Sequence, residues 1–210
     1  MKLYDFTFAP SPRRVRIFMA EKDITIPTEQ VDLMTGAQFS DAYRAVNPRC
    51  AVPCLVLDDG TAISEVPAIW QYLEAVHPDP PLLGTDAASR ATITMWDRRV
   101  ELDGYHAAAE AFRNKAEPFA THAVVGPHDY PQIAGLVGRG EARTRDFYAD
   151  LDARLAASPF VAGDAFTGAD ITAIVTVDFA VADAGIAIPD ELEALRAWRA
   201  KVSARPSMAA

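Results

Sequence analysis

Cysteine is almost absent from this chain of 210 residues, which holds only Cys50 and Cys54. No disulfide framework is indicated, and a reducing cytosol is the expected compartment. The two do not open a helix as a Cys-x-x-Cys pair, so a thioredoxin-type dithiol is disfavoured. Histidine is scarce as well: His77, His106, His122 and His128 lack metal-ligand spacing, and no metal is expected. Positive charge is outnumbered, 20 Lys and Arg against 29 Asp and Glu, for a net charge of -9. Such a field repels phosphate backbones and anionic lipid surfaces, so neither nucleic acid nor a membrane is an expected partner. No apolar run approaches the ~20 residues that span a bilayer. The first residues enter a strand pattern directly, without the apolar region of a signal peptide.

Half the residues are hydrophobic, enough for a real core. Met1 to Phe8 reads as a strand. Pro10 and Pro12 break the pattern, and a helix follows over 13–22 with Val15, Ile17, Phe18 and Met19 as its apolar positions. Thr28 to Asp32 suggests a second strand and Gln38 to Ala45 a short helix. Cys54 to Leu57 and Thr61 to Ile63 pair across Asp58-Asp59-Gly60, a Gly-containing hairpin turn. A helix over 67–76 starts on Pro67, where the missing N–H costs nothing. The order β-α-β-α-β-β-α predicts a mixed sheet with helices on its faces. His77-Pro78-Asp79-Pro80-Pro81-Leu82-Leu83-Gly84 is a stiff linker. Beyond it the pattern is helical over about 86–116, 138–157, 168–184 and 190–203, with a loop-rich connection over 117–135 that holds three prolines and two glycines. The expected fold is thus α/β plus all-α: one domain over 1–77, a linker over 78–84 and a helical domain over 85–210.

Residues 47–76 carry the most chemistry. A Val52-Pro53 step enters an apolar run, a two-strand turn follows, and Glu65 stands just before a helix that begins with proline. This layout suits a site that grips an extended peptide and its charged ends. Further on, Thr167-Gly168-Ala169-Asp170 is a Thr-x-x-Asp box, whose carboxylate can reach back to the threonine N–H at a helix start.

These motifs, with Pro159-Phe160-Val161-Ala162-Gly163-Asp164 and the closing Trp198…Ala204-Arg205-Pro206-Ser207 in the same order, resemble the cytosolic glutathione S-transferases over essentially the whole chain. The resemblance implies a thioredoxin-like N-terminal domain with a helical-bundle C-terminal domain. It further implies glutathione as co-substrate without a metal, a small hydrophobic electrophile as the second substrate, detoxifying transfer chemistry, a cytoplasmic location and a homodimer. It makes Val52-Pro53 a cis peptide bond, whose turn exposes the Val52 backbone so that the ligand docks as an extra strand.

Site residues follow in the same way. Ser11 is the catalytic candidate: placed between strand and helix, its hydroxyl would donate to a thiolate held near the helix N-terminus, with Arg13 or Arg14 nearby. A simple helix cap is its other reading. In the theta-like and zeta-like branches the activating serine falls on Ala9, which has no hydroxyl, and Ser11 stands where the beta class carries cysteine. Glu65 would meet the γ-glutamyl ammonium, or else merely cap its helix. Val66 replaces the usual serine, leaving its N–H for the α-carboxylate; one hydrogen bond to a charged group, lost, costs roughly 1.5–3 kcal/mol. Ala51 stands where relatives often place Gln or Lys, so Gln38 and Arg49 are candidates for the glycyl carboxylate or ordinary surface residues. Trp96, Arg99, Tyr105 and His106 are the electrophile-pocket candidates, set against a plain core role. Asp97, Arg98 and Glu101 sit where partner subunits meet in the family, or are solvated charges. A glutathione-dependent disulfide reductase or lyase, and a non-catalytic glutathione-binding protein, stand as alternatives to the transferase.

Overall fold

The computed structural model describes all residues, 1–210. Two compact units emerge: Met1–Pro80 with Val124–Asp129 and Ala209–Ala210, and Pro81–Ala123 with Tyr130–Met208. The first is built on a four-stranded sheet of β1 (Lys2–Asp5), β2 (Thr28–Gln30), β3 (Cys54–Val56) and β4 (Ala62–Ser64) in the order β2-β1-β3-β4. β1 runs parallel to β2 and antiparallel to β3, and β3 pairs antiparallel with β4. Gly60 makes the β3–β4 turn possible: its φ of +88° lies in the left-handed region, and its N–H donates to Leu57 C=O at 3.0 Å.

Helices α1 (Pro10–Glu21) and α3 (Val66–Val76) pack together beside the sheet. Phe18 of α1 stacks on Trp70 of α3 with ring centroids 5.2 Å apart, and Leu3, Leu55, Ile69 and Leu73 complete a core shielded from water. α1 begins three residues earlier than its apolar pattern predicts. Pro10 and Pro12 are not breakers here but the first and third residues of the helix, positions where a missing N–H removes no intrahelical bond. At the other end of α1, the fully enclosed Lys22 ammonium donates to the carbonyls of His77 and Pro80, both at 2.7 Å, and pairs with Glu74 at 2.7 Å. The segment expected as a single helix over 38–45 is a 3₁₀ turn, Ala37–Phe39, followed by α2 (Asp41–Val46), because Ser40 caps the latter by accepting the Tyr43 N–H.

The second unit is all helical: α4 (Ala87–Arg99), α5 (His106–Arg113), α6 (Ala134–Ala156), α7 (Gly168–Ala182) and α8 (Glu193–Ser203). The helix expected over 86–116 is interrupted by a π-helical segment, Val100–Tyr105, between α4 and α5. α7 is apolar nearly all round and buried along most of its length, the signature of a central core helix. α5 and α6 approach so closely that a Cβ on Gly140 would lie 2.6 Å from the Ala111 nitrogen. Asp97 is no surface charge: it is buried and accepts from Thr172 Oγ1 at 2.5 Å. Glu101 is buried too and pairs with Arg98. No helix is long and apolar enough to cross a membrane.

Candidate active site

Strand register brings the candidate segments together. Tyr4 pairs with Cys54, and Cys54 with Ser64, so these three residues form one row across β1, β3 and β4. Chain leaving β1 toward α1, chain entering β3 through Val52-Pro53, and chain leaving β4 through Glu65 into α3 therefore all lie beyond the same end of the sheet. β2 runs parallel to β1, with Asp5 opposite Gln30, so the chain toward Gln38 departs from that end as well.

Each segment is held by its own network. Val52-Pro53 is cis. The carbonyl just before it, on Ala51, accepts from Tyr43 Oη at 2.7 Å and from Asn47 Nδ2 at 2.8 Å, while the Asn47 Oδ1 receives the Arg49 N–H at 3.1 Å. Burial of Tyr43 pushes its hydroxyl pKa up, so the donor stays protonated. The β-ladder starts only at Cys54, leaving Val52 outside it. Along the β1–α1 loop, Arg16 bonds Asp5 at 2.6 Å and Thr7 C=O at 2.8 Å; Gln30 bonds Asp5 at 3.1 Å and receives the Thr7 N–H at 2.9 Å. Glu65 is exposed with φ +71° and ψ 127°, a backbone conformation that costs an L-residue of order 1–3 kcal/mol. Val66 follows as the first residue of α3, where an N–H has no intrahelical acceptor, and the Glu65 side chain caps nothing.

Ser11 is not between strand and helix: it is the second residue of α1, half-buried, and its Oγ accepts from Arg14 Nη2 at 3.1 Å. Nor does it cap α1, whose N-cap is Ala9 with no side-chain cap. Arg14, only 3% exposed, is one of the two cations placed near Ser11 by sequence; with α1 starting at Pro10, the i,i+3 spacing brings it onto the serine. Gln38 is half-buried on the 3₁₀ turn, and its Oε1 is enclosed without a hydrogen-bond partner. Arg49 is exposed, its Nη2 lying 3.8 Å from where a Gly126 Cβ would sit. Cys54 is fully buried, and burial pushes its thiol pKa up to about 11, so it is a neutral packing group near pH 7.

In the helical unit, Trp96 and Arg99 line a cavity of about 350 Å³ with Val100, Asp103, Phe147 and Leu151. The guanidiniums of Arg99 and Arg154 lie 5.0 and 4.8 Å from the Trp96 ring centroid. Tyr105 and His106 do not line that cavity; Tyr105 ends the π segment, 5.8 Å from the Phe179 ring, and His106 is exposed at the first position of α5. The Thr-x-x-Asp box closes around Asp170. Its carboxylate accepts from Thr167 N–H at 3.0 Å, Thr167 Oγ1 at 3.2 Å, Val161 N–H at 2.9 Å and Trp198 Nε1 at 3.1 Å.

Comparison with known proteins identifies the family. A family model described as glutathione S-transferase, N-terminal domain, matches residues 8–76, and one described as glutathione S-transferase, C-terminal domain, matches residues 106–201. Glutathione S-transferase 2 of Saccharomyces cerevisiae is 34% identical over 215 residues, spanning 99% of this chain and 88% of that protein. The crystal structure of Gtt2 from the same yeast superposes with a TM-score of 0.91 at 32% identity, over 100% of this chain and 99% of the other. A glutathione S-transferase domain-containing protein from Marinobacter aquaeolei VT8 does so with a TM-score of 0.87 at 38% identity, over 99% and 100%. The chain belongs to the glutathione S-transferase family.

Proposed function

We propose that this protein binds glutathione along the cis-proline edge of its α/β unit and transfers it, as the thiolate, to a small hydrophobic electrophile. The observation that carries this reading is the convergence of the Ser11 turn, Val52-Pro53 and Glu65-Val66 beyond one end of the sheet. Val52 would pair with the cysteinyl backbone, Glu65 with the γ-glutamyl ammonium, Val66 N–H with the α-carboxylate, and Gln38 or Arg49 with the glycyl carboxylate. Ser11 would stabilise the sulfur anion. A free thiol has a pKa of about 8.5, so most is protonated at neutral pH. Lowering that value and holding the electrophile close is the whole of the catalytic task. The thiol proton leaves to water, the sulfur lone pair forms the new C–S bond, and the displaced group departs with its electron pair.

The electrophile's contacts are assigned to the helical unit, at Trp96, Arg99, Tyr105 and His106. A homodimer in a reducing cytosol completes the reading, on the family resemblance. Disulfide reduction is the weaker alternative, since Ser11 occupies the place of a nucleophilic cysteine and Cys54 is buried and protonated.

Calorimetry with glutathione, paired with an ultraviolet titration of bound thiolate and a chlorodinitrobenzene conjugation assay, tests the proposal. Binding, a thiol pKa below its free value and turnover are the expected results. No binding would overturn it, and binding with an ordinary thiol pKa would leave a glutathione-holding module.

A further inference from the structure

Helix α1 is an unusually poor anion site by its backbone. A helix N-terminus attracts anions through the N–H groups of its first residues, which have no intrahelical acceptor. In α1 the first and third of those residues are Pro10 and Pro12, which have no N–H, and the fourth, Arg13, donates to Ala9 C=O at 3.3 Å. Ser11 alone of the first three keeps a backbone donor. An anion held here depends on side chains to a degree that an ordinary helix start does not require.

Those side chains are Ser11 and, one turn on, Arg14. The Arg14 guanidinium is shielded from water and donates to Ser11 Oγ at 3.1 Å. A hydroxyl oxygen that accepts from a cation becomes a stronger donor through its own hydrogen, because each hydrogen bond polarises the next. The same contact fixes the serine rotamer. Among the acids of the neighbouring elements, Asp5 of β1 pairs with Arg16, and Glu74 of α3 pairs with Lys22. The first turn of α1 contains no acid.

We infer that Arg14 is the positioning residue of the thiolate site: it acts through Ser11, orienting and polarising the hydroxyl in place of the helix N–H donors that the prolines remove. This rests on the transferase reading above. The proton released by the thiol goes to solvent.

The test is an ultraviolet titration of bound glutathione thiolate in the full-length protein and in Ser11→Ala, Arg14→Met, the double variant and Arg14→Lys, each at saturating glutathione. Arg14→Met raises the thiol pKa by about one unit, equivalent to roughly tenfold less thiolate well below that pKa. The double variant shows no more than the Ser11→Ala shift, since Arg14 works through the hydroxyl it no longer has. Arg14→Lys, which keeps the charge and loses the planar fork, gives an intermediate value. A wild-type thiol pKa in Arg14→Met, or fully additive shifts in the double variant, overturns the inference. Should Arg14→Met not fold, Arg14→Lys decides, and a wild-type value there overturns it as well. A wild-type protein that leaves the thiol pKa at its free value would instead bring down the transferase reading on which the inference stands.

Discussion

Helices α1 and α7 begin in opposite ways. α7 starts inside a closed shell: every contact of the Asp170 carboxylate comes from the protein itself, through Thr167, Val161 and Trp198. α1 starts on Ala9, with no side-chain cap and two prolines in its first turn, and α3 starts on Glu65, strained and equally uncapped. A helix start whose donors are consumed internally contributes stability. One left with its groups turned outward contributes little to stability and can serve a ligand instead. At the start of α7 polar side chains close the shell, and at the starts of α1 and α3 no side chain caps the helix.

Asp170→Ala is the strongest way to break this contrast. It strips the acceptor from four buried donor contacts at about 1–3 kcal/mol each, so urea unfolding should show a loss of roughly 4 kcal/mol or more, a large share of a domain's whole stability. Burial also lifts the Asp170 pKa to about 6, the hydrogen bonds opposing it. Between the ordinary carboxylate range and that value the folded state holds a proton that the unfolded state has released. Asp170 therefore stabilises the fold less as pH rises from about 4 to 6. Urea melts of wild type and Asp170→Asn across that window should diverge in slope accordingly.

Glu65→Gly sharpens the comparison from the other side. Glycine accepts the +71° φ, so stability in thermal unfolding should be unchanged or up to about 1 kcal/mol higher, after allowing for the chain entropy of glycine. Glutathione affinity, read by calorimetry, should fall about ten- to a hundred-fold with the loss of one charged contact. The smallest effect belongs to α4, whose start is capped at the surface by Asp86 accepting from Ala88 and Ser89 N–H groups. Asp86→Ala should cost about 1 kcal/mol in a urea melt and leave glutathione binding untouched.

The contrast was only half legible in the sequence. Thr167 and Asp170 announce a capping box by spacing alone, and Asp58-Asp59-Gly60 announces its turn, since both signals are local. Val52-Pro53 and Glu65-Val66 were legible through family likeness, because neither a cis bond nor a positive φ has a compositional mark. The true start of α1 was hidden: proline inside a first turn and proline that ends a strand look identical until the tertiary packing of Phe18 on Trp70 sets where the helix lies. With that start misplaced by three residues, the Ser11–Arg14 contact had no geometry to support it. The π segment at Val100–Tyr105 was invisible for a similar reason, since its sequence is as compatible with an uninterrupted helix.

Lys22 offers a way to time the α/β unit. The chain has only four lysines, and this one has its ammonium wrapped by two carbonyls and a carboxylate while Lys2, for example, stands half-open to water. An amine-reactive acylating reagent should modify Lys2 at once and Lys22 only when the end of α1 detaches from residues 74–80. The acylation rate of that single amine would therefore count openings of the unit, a molecular clock already built into the chain.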